Sequence, residues 1–194
     1  MEKKEPIDIA DRKRNIRREA LSRRDQLSQK ERQIASYKLA DRIIGHQWFY
    51  RSDMLLIFAS YGSEIDTSEI INEALRTGKK VYVPKVEGEI MHFYRICTME
   101  ELTPGYRGIP EPDGSSERYM YEEEEADRTL MIMPGAAFDP YKNRIGYGKG
   151  FYDKYLADKE KLQLRTIAIG FHWQMVEEIP CEESDIKPEQ VIVV

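Results

Sequence analysis

Apolar positions along this chain alternate between short unbroken runs and a rhythm of three to four residues. Residues 8–26 read as a helix, with Ile16, Ala20 and Leu27 marking an apolar side among basic residues. Ser28 and Glu31 have the spacing of a capping box, which opens a second helix carrying Ala35, Leu39 and Ile43 and ending at Gly45. The run "MLLIFAS" (54–60) is apolar and bounded by polar residues, which predicts a buried strand. Asp66 or Thr67 caps the next helix, whose stripe is Ile70, Ile71, Ala74 and Leu75 and whose stop is Gly78. Further strands follow at "KVYVPKV" (80–86), "IMHFYRI" (90–96), "TLMIMPG" (129–135), "TIAIGF" (166–171) and "VIVV" (191–194). Strands taking turns with helices predict an α/β fold, a three-layer sandwich around a largely parallel or mixed sheet. No repeat or linker divides the chain. One domain over 1–194 is expected, with the basic helix at its start.

Two segments break the alternation. "TPGYRGIPEPDGSS" (103–116) must be a loop, and loops between strands are where α/β proteins keep substrate contacts. "GIPEP" within it is therefore either a cavity wall or a plain turn. "YEEEEAD" (121–127) reads as a solvated edge.

Composition narrows the function. Apolar residues make up 41% of 194, enough for a core, and 34% are charged, so the surface is well solvated. A net charge of −5 argues against broad nucleic-acid or anionic-membrane binding. The longest apolar run, Met54 to Ala59, is far too short to cross a bilayer. Cys97 and Cys181 have neither metal-ligand spacing nor a disulfide framework, which fits a reducing, cytoplasmic setting. His46, His92 and His172 read as surface or packing residues.

The chemistry concentrates in "AAFDPYKNRIGYGKG", which leaves strand 129–135 and enters a helix beginning near Gly150. A loop at the carboxyl end of a sheet strand sits where α/β folds bind ligands. Its glycines let backbone N–H groups face an anion, and the helix start adds favourable partial charge. Arg144 brings a planar fork and Lys149 a mobile point charge. The pattern is neither a P-loop nor a dinucleotide fingerprint, so spacing alone leaves a phosphate cradle and a Gly-rich turn both open. Asp153 favours the cradle, because a carboxylate one turn beyond Lys149 suits Mg²⁺ held against phosphates; its plainer role is to answer the helix dipole. Residues 12–24 form a second basic cluster, with Lys13 and Arg17 four apart on one helical face. A solvated helix, a nucleic-acid arm lacking stacking aromatics, and a cation pair for a polyphosphate all fit that cluster.

"PGAAFDPYKNRIGYGKGFYDKYL" (134–156) closely resembles the signature of the 5-formyltetrahydrofolate cyclo-ligase (methenyltetrahydrofolate synthetase) family. "KRNIR", "FASYGSEIDT", "GIPEP" and "PCEESDIKPEQVIVV" resemble further family segments in the same order. The resemblance implies that ATP and Mg²⁺ are used to close 5-formyltetrahydrofolate into 5,10-methenyltetrahydrofolate, releasing ADP and phosphate. It also implies a fold similar to that of sugar-phosphate isomerases and CoA transferases. On ATP it places Lys13, Arg14, Asn15, Ile16 and Arg17, together with Arg144, Ile145, Gly146, Tyr147, Gly148, Lys149, Gly150, Phe151 and Tyr152. Of these, Tyr147, Gly148, Lys149, Gly150 and Phe151 also face the folate, alongside Ala59 and Glu64. Arg144 and Lys149 become the catalytic cations, and Asp153 and Asp185 the Mg²⁺ carboxylates. Glu182, Glu183 and Glu189 compete with Asp185 for that role. Ala59 and Phe151 depart from the family's bulkier aliphatic residue and tyrosine. Arg107 or Lys142 is our own addition, as a partner for the glutamyl tail. The expected partners are the two small substrates, with no nucleic acid and no membrane, and the expected state is a monomer. A sugar-phosphate isomerase would need an enolisation base, and an RNA module would show steep salt dependence.

Overall fold

The computed structural model describes residues 8–194; the first seven residues of the expected 1–194 span lie outside it. Helices α1 (Ile9–Asp25), α2 (Gln29–Ile44) and α3 (Gln47–Arg51) precede strand β1 (Met54–Ile57). Helix α4 (Ser68–Arg76) leads to strands β2 (Lys80–Glu87) and β3 (Ile90–Ile96), then to the short pair β4 (Thr103–Pro104) and β5 (Pro110–Glu111). Strand β6 (Thr129–Met133) runs into the hairpin β7 (Ala137–Phe138) and β8 (Arg144–Ile145). Helices α5 (Phe151–Leu156) and α6 (Glu160–Gln163) and strands β9 (Thr166–Gly170) and β10 (Gln190–Val193) complete the chain.

Six strands form one sheet in the order β10-β9-β6-β1-β2-β3, parallel except for β3. Successive side chains of a strand point to opposite faces, so a strand covered on both sides reads as a continuous apolar run. β1 and β6 are such strands, buried at every residue. Leu55, Ile57, Leu130 and Ile132 join Leu39 and Ile43 of α2 and Ile70, Ile71 and Ala74 of α4 on one face. Met54, Leu56, Met131 and Met133 meet Leu156 of α5 and Leu162 of α6 on the other. The three expected layers follow from this division.

The capping box forms as read: the Glu31 N–H donates to Ser28 Oγ (3.2 Å), and the Ser28 N–H donates to Glu31 Oε2 (2.9 Å). At α4, Asp66 supplies the cap, accepting from the Ser68 N–H (2.9 Å), while the Thr67 hydroxyl turns inward to Phe58 O (2.8 Å). β1 ends at Ile57, three residues earlier than expected, because Ser60 leaves the sheet to bond Ile65 O and the Thr67 N–H. The acidic run forms a 3-10 helix over Glu123–Arg128. Ile16 and Ala20 do mark the buried side of α1, packing with Ala136, Ala137, Ile145 and Ile179, whereas Leu27 joins the α2 cluster instead.

The loop after β6 differs most from its expected form, because it contains the β7–β8 hairpin. Asp139 builds its turn. The buried carboxylate accepts from the backbone of Tyr141, Asn143 and Ile179 and from the Asn143 amide, all at 2.7–2.9 Å. Four donors satisfy a charge that would otherwise be costly to bury. This turn fixes where Arg144 and the glycines begin.

Candidate active site

Helix α1, the 144–153 segment and the loops after β1 and β4 enclose two adjoining cavities at the carboxyl ends of the parallel strands. The larger, about 570 Å³, is polar and lined by Lys13, Arg17, Gly148, Lys154, Glu182 and Asp185, among others. The smaller, about 320 Å³, is mainly apolar, with Leu21, Tyr61, Tyr106, Ile109, Phe151 and Tyr152 in its wall and Glu64 and Lys149 facing it. Arg144, Gly146, Gly150 and Asp153 line both. Arg144 is the hinge of the arrangement. Its side chain is 3% exposed; Nη2 donates to Asp153 Oδ1 (3.1 Å) and Nη1 to Pro134 O (3.4 Å). Its Nε is buried without a protein partner.

Local backbone chemistry explains the glycines. A Cβ on Gly146 would lie 2.9 Å from Arg144 Nη1, so any larger residue there would push the guanidinium out of its present place. Gly148 has φ +94, the left-handed region that favours glycine. Helix α5 has six residues, so the cations in these walls, more than a helix terminus, supply the positive charge.

Lys13 and Arg17 share one face of α1, as their spacing predicts, and both line the polar cavity. Lys13 Nζ donates to Asp185 Oδ2 (2.5 Å) and Glu182 Oε2 (2.7 Å). Burial pulls its pKa down, but the hydrogen bonds to Asp185 and Glu182 outweigh that and hold the ammonium above its usual value. Arg17 Nε donates to Gly146 O (2.7 Å), and burial lowers its pKa. The residues between them point elsewhere. Arg14 pairs with Asp11 (2.7 Å), Asn15 accepts from Arg18 (3.2 Å), and Ile16 packs on the hairpin. Ile145 is buried at the back of the polar cavity.

In the apolar cavity Glu64 accepts from the Tyr61 N–H (2.9 Å) and from the Tyr147 hydroxyl. Burial raises its pKa above the ordinary carboxylate value, against the opposing pull of Tyr147, the Tyr61 N–H and Arg24. Burial, with Glu64 beside it, likewise pushes the Tyr147 phenol up. Ala59 lies in the hydrophobic core and outside both cavity walls. Lys142 pairs with Glu189 (3.1 Å) and also lies outside both walls, whereas Arg107 lines the apolar one. Sequence reasoning passed over Arg24, Tyr61 and Tyr106. Tyr106 sits edge-on to Phe151, ring centres 6.2 Å apart. "GIPEP" contributes Ile109 to the wall, and its buried Glu111 accepts from the Tyr106 (3.2 Å) and Val86 (3.1 Å) N–H groups.

Asp153 and Asp185 share the polar cavity, each engaged by a cation, Arg144 and Lys13 respectively. No cluster of three metal-ligating side chains occurs among the described residues. Carboxylate oxygens on a polar cavity are the ligand type Mg²⁺ takes, one or two from the protein with phosphate and water completing its shell.

A polar cavity lined by Lys13, Arg17 and Lys154 shares Arg144 with an aromatic one, a layout suited to a phosphorylated molecule beside a flat one. On an α/β sandwich, such a pair of adjoining cavities suits an enzyme with two substrates. Comparison with known proteins narrows the class: the model of the 5-formyltetrahydrofolate cyclo-ligase family matches residues 9–194, and the chain belongs to that family. A 5-formyltetrahydrofolate cyclo-ligase of Mus musculus is 32% identical over 192 residues, covering 93% of this chain and 92% of the relative. The Escherichia coli K12 protein of that name is 29% identical over 174 residues, covering 88% and 93%. The solved structure of Aquifex aeolicus 5,10-methenyltetrahydrofolate synthetase superposes with a TM-score of 0.78 at 29% identity, covering 93% of this chain and 89% of that one. A Mycoplasma pneumoniae synthetase shares the fold, with TM-score 0.72 at 18% identity.

Proposed function

We propose that this chain is an ATP-dependent ligase that cyclises 5-formyltetrahydrofolate to 5,10-methenyltetrahydrofolate, with release of ADP and phosphate. The observation that carries the reading is Arg144, a buried guanidinium lining both cavities at their junction. An amide oxygen is a poor leaving group, and phosphorylation makes it a good one. The formyl oxygen attacks the γ-phosphorus as the bond to ADP breaks. The neighbouring amine at position 10 then attacks the activated carbon, the carbon–oxygen bond breaks, phosphate departs and the amine gives up its proton. No protein nucleophile is required. Catalysis of this kind rests on in-line placement and on neutralising the transferring phosphoryl group.

In this reading Lys13 and Arg17 hold the triphosphate in the polar cavity, Arg144 meets the charge that develops at the junction, and Lys149 reaches toward that charge from the rim of the apolar cavity. Glu64, Tyr147 and Phe151 hold the reduced pterin in the apolar cavity. Asp153 and Asp185 would hold Mg²⁺, which when bound draws negative charge from the phosphates. Arg107, exposed at the rim, suits the substrate's terminal carboxylates. We further read the chain as one domain working as a monomer. A cytoplasmic setting is supported by Cys97 and Cys181, both exposed and unpaired. No described helix is long and apolar enough to cross a membrane.

A coupled absorbance assay tests the proposal. Methenyl product is expected only when 5-formyltetrahydrofolate, ATP and Mg²⁺ are all present. A folded protein that forms none would overturn it.

A further inference from the structure

We propose that Arg24 is a positioning residue of this site, holding the Tyr147 hydroxyl against Glu64 so that the carboxylate meets the substrate in one fixed orientation. The inference deepens the cyclo-ligase reading and rests on it. Lys13, Arg17, Leu21 and Arg24 are spaced four, four and three apart, which puts them on one face of α1. Along that face Lys13 and Arg17 line the polar cavity, while Leu21 and Arg24 line the apolar one. One helix therefore walls both. Arg24 is 8% exposed, and its fork is divided between two partners: Nε donates to Ser63 Oγ (2.9 Å) and Nη1 to the Tyr147 oxygen (2.6 Å). The Ser63 hydroxyl in turn donates to Asp25 Oδ1.

The direction of the chain of bonds is what matters. A guanidinium donates and never accepts. The Tyr147 oxygen must therefore accept from Arg24, and its hydroxyl donates to Glu64 Oε1, while the Tyr61 N–H donates to Oε2. Glu64 is thereby fixed as an acceptor, with its remaining lone pairs free for N–H donors of a ligand. Tyr147 needs such a restraint. It is 44% exposed and flanked by Gly146 and Gly148, so its own backbone does little to place it. A purely structural role, tying α1 to the 61–64 loop, would act on folding and on both substrates alike.

Steady-state kinetics of Arg24→Gln, Tyr147→Phe, the double variant and Arg24→Lys, with melting curves, tell these apart. Losing a charge-assisted link should raise the folate KM about tenfold in either single variant. The ATP KM should stay within about twofold. The double variant should be no worse than the poorer single, because both break one chain of bonds. Arg24→Lys should recover only part, since an ammonium lacks the fork that serves two partners at once. Additive losses, or a melting temperature and both KM values moving together, would overturn the proposal. If the parent protein makes no methenyl product, the functional reading fails, and amide exchange still decides the placement. Arg24→Gln and Tyr147→Phe should each speed exchange over 146–150, and exchange there left unchanged by either sinks it.

Discussion

At the scale of single residues, Glu64 shows how a site works against stability. Burial raises its pKa above the ordinary 4.5, so the folded state binds this proton more readily than the unfolded chain does. Stability is therefore lost as pH rises from about 4.5 through the raised value, and the loss persists at neutrality. Glu64→Gln keeps an acceptor for Tyr147 while removing the buried charge. It should melt at or above the parent at pH 7, with the advantage fading below pH 4.5, and methenyl formation should fall sharply. A variant less stable at pH 7 than at pH 4, relative to the parent, would reverse the sign. Lys149 belongs to the opposite kind, an exposed cation at the rim of the apolar cavity. Lys149→Ala should leave melting unchanged and lower kcat, since one preorganised charge-stabilising donor commonly contributes about 3–4 kcal/mol. Turnover within about twofold of the parent would make it a solvated loop residue. Asp153 has two candidate jobs. Its Oδ1 holds both Arg144 and the Ile186 N–H (3.1 Å each), contacts that asparagine can keep. If it also holds Mg²⁺, Asp153→Asn should weaken apparent Mg²⁺ affinity, and excess Mg²⁺ should restore part of the activity. An unchanged Mg²⁺ midpoint with full turnover would leave Asp153 only its anchoring contacts.

At the scale of elements, legibility followed the range of the signal. The α2 capping box was readable because both partners lie within four residues. The strands of the sheet interior were readable because burial on both faces leaves an unbroken apolar run. The β7–β8 hairpin was not, because two-residue strands carry no period and its turn rests on Asp139 bonding Ile179, forty residues away. Arg24 was hidden for a different reason: in a basic helix one buried guanidinium spells the same as its exposed neighbours. Lys13 and Arg17 were legible as a pair, yet only the cavity separates the triphosphate reading from a solvated or RNA-binding helix. Replacing both by alanine should raise the ATP KM by at least about tenfold, on the order of 1.4 kcal/mol or more. The folate KM should move far less. Unchanged kinetics with lost RNA binding would return the helix to the RNA reading.

Across the whole molecule, the two sides of the site are held very differently. The sheet side rests on β6 and its neighbours, buried on both faces. The α1 side buries only Ala20 and Arg24 fully and docks through a small cluster of alanines and isoleucines. Much of the rest of its attachment is polar: Lys13 to Asp185 and Glu182, Arg17 to Gly146, Arg24 to Ser63 and Tyr147. Elements with few buried apolar contacts open locally at lower free energy than the core does. Helix α1 should therefore be among the least protected elements in amide exchange, well below β1 and β6. A ligand that binds only the closed arrangement stabilises it by mass action, about 2.7 kcal/mol at a hundred times its Kd. ATP with Mg²⁺ grips Lys13 and Arg17 in this reading, so saturating nucleotide should slow exchange in α1 by up to about a hundredfold. Exchange in β6, already limited by global unfolding, should slow only as far as the whole fold is stabilised. The same experiment on the Lys13→Ala, Arg17→Ala double variant should show little protection of α1. If α1 proves as protected as β6 without nucleotide, or gains nothing when nucleotide binds, the helix is a fixed wall and not a nucleotide-gripping element.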